Sequence, residues 1–205
     1  ACGVARAAGA VGVEGGGGQG LGGGCGGGRG GRCRPAGGGD TDGDGFDDGT
    51  ITAAGDGTFG IADVPLAEGA NTIRVRAANA QGETIAEITI QLDTLSPTGQ
   101  LAVPGAGGVT NQDLGYVEIQ WSDAGTAGID PATLDAGDVT LTGVSVDRAE
   151  SLGGGLVRYW YNEDGDALPE GTVQVQAAEG AVSDRAGNAS LAVAVDFIVD
   201  RQALG

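Results

Sequence analysis

The chain has 205 residues, 28 of them acidic and 10 basic, for a formal net charge of −18. Such a surface repels nucleic acid and anionic lipid and attracts divalent cations, which argues against a nucleic-acid partner. His is absent, which removes Ser-His-Asp and Cys-His nucleophile systems, His-bearing zinc sites and the usual general base near neutral pH.

Residues 1–39 are dominated by Gly, as in Gly22-Gly-Gly-Cys25-Gly-Gly-Gly-Arg29. A tract of this kind buries too little apolar surface to offset its ordering entropy, and disorder is expected over the whole of it. Its G-x-G-x-x-G matches carry no meaning without a strand before and a helix after. The same composition is what GC-rich codons give when read out of frame, so a frameshift is a second reading of this tract. All three cysteines (Cys2, Cys25, Cys33) fall here; an odd number without C-x-x-C spacing implies neither a zinc site nor a full disulfide framework. The start has no Met and no signal pattern, so the chain reads as an excerpt of a longer one. No apolar run approaches the length of a membrane span.

Residues 40–49 hold the sharpest local signal, Asp40-Thr-Asp42-Gly-Asp44-Gly45-Phe46-Asp47-Asp48. Counting from Asp40, carboxylates at the first, third, fifth and ninth positions around a sixth-position Gly can wrap a loop about a hard cation. Phe46 would lend its backbone carbonyl at the seventh position. The twelfth is Ile51, so the bidentate Glu of an EF-hand is missing. The other reading is a solvated acidic linker, in which Gly and Asp merely favour turns.

Residues 50–94 change to short alternating runs, with strands predicted at 50–52, 58–61, 72–77 and 84–92. That is too few strands for a sandwich, so this segment reads as a partial domain with an exposed edge. After the linker Ser96-Pro97-Thr98-Gly99, residues 95–201 read as a complete domain, followed by a short tail at 202–205. Its strands are predicted at 101–103, 116–122, 139–141, 144–146, 156–161, 173–177 and 191–199. One helical turn is predicted at 129–134, with Asp130 as N-cap and Pro131 at the first position. In the strand at 116–122, Val117, Ile119 and Trp121 share one face, which makes Trp121 core. The fold class is therefore all-β: one complete and one partial β-sandwich behind a disordered Gly-rich segment.

The two segments repeat a phrase. Leu66-Ala-Glu-Gly69 leads into a strand and a turn at Asn79-Ala-Gln-Gly82, and closes on Asp93; Leu168-Pro-Glu-Gly171, Asp184-Arg-Ala-Gly-Asn188 and Asp200 do the same roughly 100 residues later. Asp93 and Asp200, at the strand ends, are either inter-domain cation ligands or ordinary acidic surface. The 184–188 run reads as a structural turn, since Gly and Asn tolerate positive φ and Asp bonds nearby backbone.

The cluster Arg158-Tyr159-Trp160-Tyr161 leaves two arrangements open. If Val157, Tyr159 and Tyr161 face inward, Trp160 lies outside beside Arg158, where it stacks on a sugar ring or simply packs. Tyr159 and Trp160 are accordingly the candidate ligand contacts. Glu163, Asp164 and Asp166 sit in a Gly-containing turn with nothing apolar beside them to raise one pKa, so they are solvated acids, not a hydrolytic pair.

Asp56-Gly-Thr-Phe59, Val64-Pro-Leu66 and Glu68-Gly-Ala-Asn-Thr-Ile73 resemble the second half of a bacterial Ig-like domain, and Asp93-Thr-Leu-Ser-Pro97 resembles the usual join to the next one. Ile129-Asp-Pro-Ala-Thr-Leu134, Val139-Thr-Leu-Thr-Gly143 and Val182-Ser-Asp-Arg-Ala-Gly-Asn188 resemble a related Ig-like type, so the resemblance covers roughly residues 50–201. The acidic loop resembles the calcium loops of thrombospondin type 3 repeats. The resemblance implies a non-catalytic extracellular or cell-surface module, a spacer or adhesin stalk, with calcium at Asp40, Asp42, Asp44, Phe46 and Asp48. Its partners would be adjacent Ig-like repeats of the same polypeptide, with surface glycans or protein beyond them. The alternative it leaves is a carbohydrate-binding accessory domain of a secreted polysaccharide-degrading enzyme.

Overall fold

Period-2 alternation of β-branched and polar residues, punctuated by Gly and Asp, yields strands and turns throughout. A computed structural model describes residues 36–48, 50–52, 64–79 and 82–202. The chain divides after Leu92 into two compact units.

The first unit contains β1 (Ala36–Asp40), β2 (Thr50–Thr52), β3 (Gly69–Asn79) and β4 (Gly82–Leu92), in one antiparallel sheet of order β2-β1-β3-β4. The expected disorder over 1–39 fails at its end, because residues 36–39 form most of β1. Backbone pairing alone supports its middle, since Gly37, Gly38 and Gly39 have no side chains to pack. Each Gly in a strand costs roughly 0.5–1 kcal/mol relative to Ala. Gly38 is required all the same: a Cβ there would come 2.5 Å from the Phe46 carbonyl oxygen. Residues 1–35, with the cysteines, and the strand predicted at 58–61 lie outside the described residues. The predicted strands at 72–77 and 84–92 are the two arms of the β3–β4 hairpin, whose register runs from Gly69↔Leu92 to Asn79↔Gly82. Ile73 and Val75, two residues apart on one face of β3, are buried.

The second unit contains β5 (Thr98–Val103), β6 (Val109–Thr110), β7 (Tyr116–Ser122), β8 (Thr140–Leu141), β9 (Arg148–Gly153), β10 (Leu156–Trp160), β11 (Gly171–Ala177) and β12 (Val193–Val199). They form two four-stranded sheets, β5-β7-β10-β9 and β6-β12-β11-β8. In immunoglobulin letters the first is A-B-E-D and the second holds C, F and G, with β6 added alongside the last strand. The all-β class and Ig-like sandwich read from the sequence are therefore present in this unit. Both β6 and β9 escaped prediction, and the strand predicted at 144–146 is absent. There Gly143 takes φ +83° and turns the chain, leaving Val144 a single bridge to Leu141. The helical turn is a 3-10 turn, Pro131–Thr133, with the Asp130 carboxylate accepting from the Ala132 N–H at 3.0 Å.

One apolar cluster fills the space between the sheets, with Trp121, Tyr159, Tyr161 and Phe197 its largest members. Three polar groups run through it. Trp121 Nε1 donates to the Tyr159 hydroxyl at 3.0 Å, and that hydroxyl donates to Asp138 Oδ2 at 3.2 Å. Asp138 also accepts from the Asp135 N–H at 2.9 Å, closing a capping box on the 3-10 turn Ala136–Asp138. A second network closes the C-terminal end. Tyr161 donates to Asp113 Oδ1 at 2.6 Å, while Arg201 reaches Asp113 Oδ2 at 3.1 Å and the Leu168 carbonyl at 3.0 Å.

Tyr159→Phe removes a hydroxyl that serves both a buried donor and a buried carboxylate. Chemical denaturation should show a loss of about 1–3 kcal/mol, since both partners are left short of a bond. Burial pushes the Asp138 carboxyl up to about 6. A carboxyl raised on folding stabilises most below its unfolded pKa and loses that contribution as pH rises through the folded value. The thermal midpoint is therefore expected to gain from Asp138 as pH falls from about 7 to about 5. Asp138→Asn, neutral throughout, should flatten this part of the profile.

Candidate functional site

Carboxylates gather at two places among the described residues, one in each unit: Asp40, Asp42 and Asp48, and Asp93, Asp123 and Asp184. In each group one oxygen per residue lies within 4.8 Å of the others.

The first group is built by the acidic loop folding back on β1. The Asp48 N–H donates to the Gly39 carbonyl at 3.1 Å, and Asp48 Oδ2 accepts from the Thr41 N–H at 2.6 Å and the Thr41 hydroxyl at 2.7 Å. The Thr41 backbone bond, followed by the hydroxyl bond, holds the Asp48 carboxyl below its ordinary range. Asp40 Oδ1 accepts from the Gly43 N–H at 2.7 Å. Asp40 is 1% exposed, yet its Oδ2 has no hydrogen-bond donor; Arg74 Nη1 approaches only to 3.6 Å. Arg74 is therefore the cation that faces Asp40 here, and the three carboxylates together form a donor set of the kind that suits a hard divalent cation.

Asp44 stands apart from the other three carboxylates. Its hydrogen bond and repulsion with Asp42, then repulsion from Asp47, push its carboxyl up to about 6. Phe46 turns its carbonyl and Cβ against Gly38, and its ring lies under the guanidiniums of Arg74 and Arg76, at 5.6 and 5.0 Å. The aromatic residue thus seats the loop on β3.

In the second group, Asp93 Oδ2 accepts from the Thr126 and Ala127 N–H groups at 2.7 and 2.6 Å, and Oδ1 from Leu95 at 3.1 Å. Asp123 accepts from Gly125 and Gly128, both at 2.8 Å. The turn read at 184–188 is present: Asp184 Oδ1 accepts from the Asn188 N–H at 2.8 Å and Oδ2 from its side-chain amide at 2.7 Å. That amide also donates to the Asp93 carbonyl at 3.0 Å, so the turn fixes the start of the unit. Asp93 therefore meets Asp123 and Asp184, whereas Asp200 is absent from the group and accepts from the Gln202 N–H. Sequence reasoning missed Asp123, whose only signal is a Ser-Asp-Ala-Gly turn after β7.

The arrangement with Val157, Tyr159 and Tyr161 inward is the one adopted. This corrects Tyr159 as a ligand contact, because it is fully buried with its hydroxyl committed to Asp138 and Trp121. Trp160 lies on the outer face of its sheet in a ladder set by register: Trp160 opposite Tyr116 and Arg148, Arg158 opposite Glu118 and Glu150. The Arg148 guanidinium sits 4.6 Å from the indole and that of Arg158 at 5.3 Å, the Tyr116 ring is 5.1 Å away, and the indole N–H donates to Glu150 at 3.0 Å. A stacking sugar would have to displace these neighbours. Glu163 pairs with Arg148, which leaves the 163–166 turn to its solvated role.

No family model matches the chain, and no curated protein sequence matches it. Among solved structures the chain is similar to human protocadherin-24 EC1-2, with 11% identity, 82% of each chain covered and a TM-score of 0.30. The fold is accordingly read from strand order and core. No helix among the described residues is long and apolar enough to cross a membrane.

The backbone N–H groups of Ala127, Leu95 and Thr126 hold the Asp93 carboxyl below its ordinary range, with Ala127 the largest influence. A depressed carboxylate contributes stability above its unfolded pKa and loses it as pH falls through the folded value. Asp93→Asn is expected to lower the thermal midpoint near neutrality. The same substitution should reduce the loss of stability below about pH 4, which a melt series in acid measures.

Proposed function

We propose that this chain is part of a non-catalytic extracellular module, a tandem Ig-like spacer or adhesive stalk of a large bacterial secreted or cell-surface protein. Calcium at Asp40, Asp42 and Asp48 stabilises its first unit, and adjacent repeats of the same polypeptide are its immediate partners. The observation that supports this reading is what the sandwich does with its polar groups. Asp138, Tyr159 and Tyr161 are the residues whose pKa burial raises most clearly in the sandwich, and each is tied into the core or its rim. The aromatic and charged residues of the outer face pair with one another. Such a unit presents length and surface rather than a reactive cleft. Glycans or proteins at the far end of such a stalk are the targets this role implies.

Thermal melts of the full chain in EDTA and in millimolar calcium test the cation. A calcium-dependent rise is expected for the native sequence and for Asp44→Ala, and its loss is expected for Asp42→Ala. Identical melts with and without calcium in the native chain would make residues 40–48 a plain acidic linker.

A further inference from the structure

The first sheet ends on β4, which among the described residues pairs on one side only, with β3. It is 11 residues long, and its register against β3 runs without a bulge from Gly82 to Leu92. In an antiparallel ladder every second residue directs its N–H and C=O away from its partner. The outer side of β4 therefore presents a row of backbone donors and acceptors to another strand. Devices that usually blunt such an edge are missing from it: β4 contains no Pro, no bulge and no basic residue, and its only charges are Glu83 and Glu87. Two of its isoleucines are exposed as well, Ile85 at 44% and Ile88 at 37%, one on each face of the sheet.

The rows that cross the sheet define what an added strand must carry. On one face Ile73 lies opposite Ile88 and Val75 opposite Ala86, so an apolar stripe runs out to the edge. On the other face Asp40, Arg74 and Glu87 lie opposite one another in turn, with Arg74 3.6 Å from Asp40 and 3.5 Å from Glu87. The signs run negative, positive, negative, and the last side chain in the row, Glu87, is 57% exposed. A strand added beyond β4 brings one residue directly opposite Glu87, and a cation there extends the alternation. The residues on either side of that cation fall on the apolar face, beside Ile88. A second copy of this chain is a poor occupant, because both copies carry a net charge of −18 and β4 offers only acids. An occupant of the right kind is already present on the inner side of β4: Ile73-Arg74-Val75-Arg76 of β3 pairs with it by this same pattern.

We infer that the outer edge of β4 is a docking site for an extended segment of another protein in which basic residues alternate with β-branched apolar ones. The segment lies antiparallel to β4 and its main chain completes the ladder, while its cation meets Glu87 and its apolar residues cover Ile88. This partner goes beyond the spacer reading and requires no calcium.

The probe is a labelled synthetic peptide with the sequence of Gly69–Ala77, titrated into the full chain, with hydrogen–deuterium exchange followed in parallel. Binding is expected, with slowed exchange over residues 82–92 and none over 116–122 and 171–177. A basic peptide is drawn to any acidic surface, so a scrambled peptide with its two arginines adjacent serves as the control and should bind about tenfold more weakly. Glu87→Lys should weaken the Gly69–Ala77 peptide by about tenfold and strengthen a version in which Glu replaces both arginines. That reversal separates a lost contact from a lost fold. No binding at millimolar peptide, equal binding of the scrambled control, or protection only outside 82–92 would overturn the docking site. Self-association of the chain alone, with protection of 82–92, would assign the edge to a second copy and overturn the basic partner.

Discussion

Carboxylates held by backbone N–H groups organise the loops of this chain. With 28 acids and only 10 basic residues, side-chain cations cannot pair with most of the negative charge. The backbone takes over: Asp93, Asp123, Asp130, Asp135, Asp138 and Asp184 each accept from main-chain amides within a few residues or across a loop. Charge-assisted bonds of this kind fix a loop without a long side chain to order. They also satisfy amides that short strands leave unpaired. An acidic composition that would otherwise only repel thus becomes the means by which the connections are built. The arginines are then kept for a few bridges between strands, such as Arg158 to Glu118 at 2.7 Å and Arg74 to Asp40 and Glu87.

Much of the sandwich was legible because its strands alternate cleanly. Residues 116–122 read as they fold, the strand predicted at 173–177 is most of β11, and Trp121 is core as the alternation required. What was not legible has three physical causes. β9, Arg-Ala-Glu-Ser-Leu-Gly, has too few apolar side chains for its period to show, because its outer face is an ion-pair ladder. β1 is written almost wholly in glycine, and a strand held by main-chain bonds leaves no pattern in side chains. The group at Asp93, Asp123 and Asp184 joins residues far apart in sequence, which no local spacing reveals. In the acidic loop, spacing named Asp40, Asp42 and Asp48 correctly as neighbours, but the five-member set assumed a wrapped loop. The loop folds back on β1, the Phe46 ring packs against Arg74 and Arg76, and Asp44 stands apart from the other three carboxylates.

Trp160 shows why an aromatic on an outer face is a weak indicator of sugar binding by itself. Its neighbours Arg148, Arg158 and Tyr116 are placed by strand register, and Glu118 is buried beneath that layer although it points away from the core. The ladder extends ordered packing onto a face that strand alternation alone would leave to water. An indole in this setting already has the cation and hydrogen-bond acceptor that a ligand would otherwise supply.

The parallel pairing of β6 with β12 has a mechanical consequence. These strands lie near the beginning and the end of the sandwich sequence, and they run side by side in the same direction. The Ile198 N–H donates to Gly108, the Asp200 N–H to Thr110 and the Gly107 N–H to Asp196, at 2.8, 2.8 and 2.7 Å. When the chain is drawn out from its two ends, β6 and β12 are pulled in opposite directions along their common axis. The bonds between them are then loaded together in shear, where a hairpin pulled open at its tip would yield one bond at a time. Tension that passes β5 and reaches β6 is therefore met by a patch of a few short hydrogen bonds acting together.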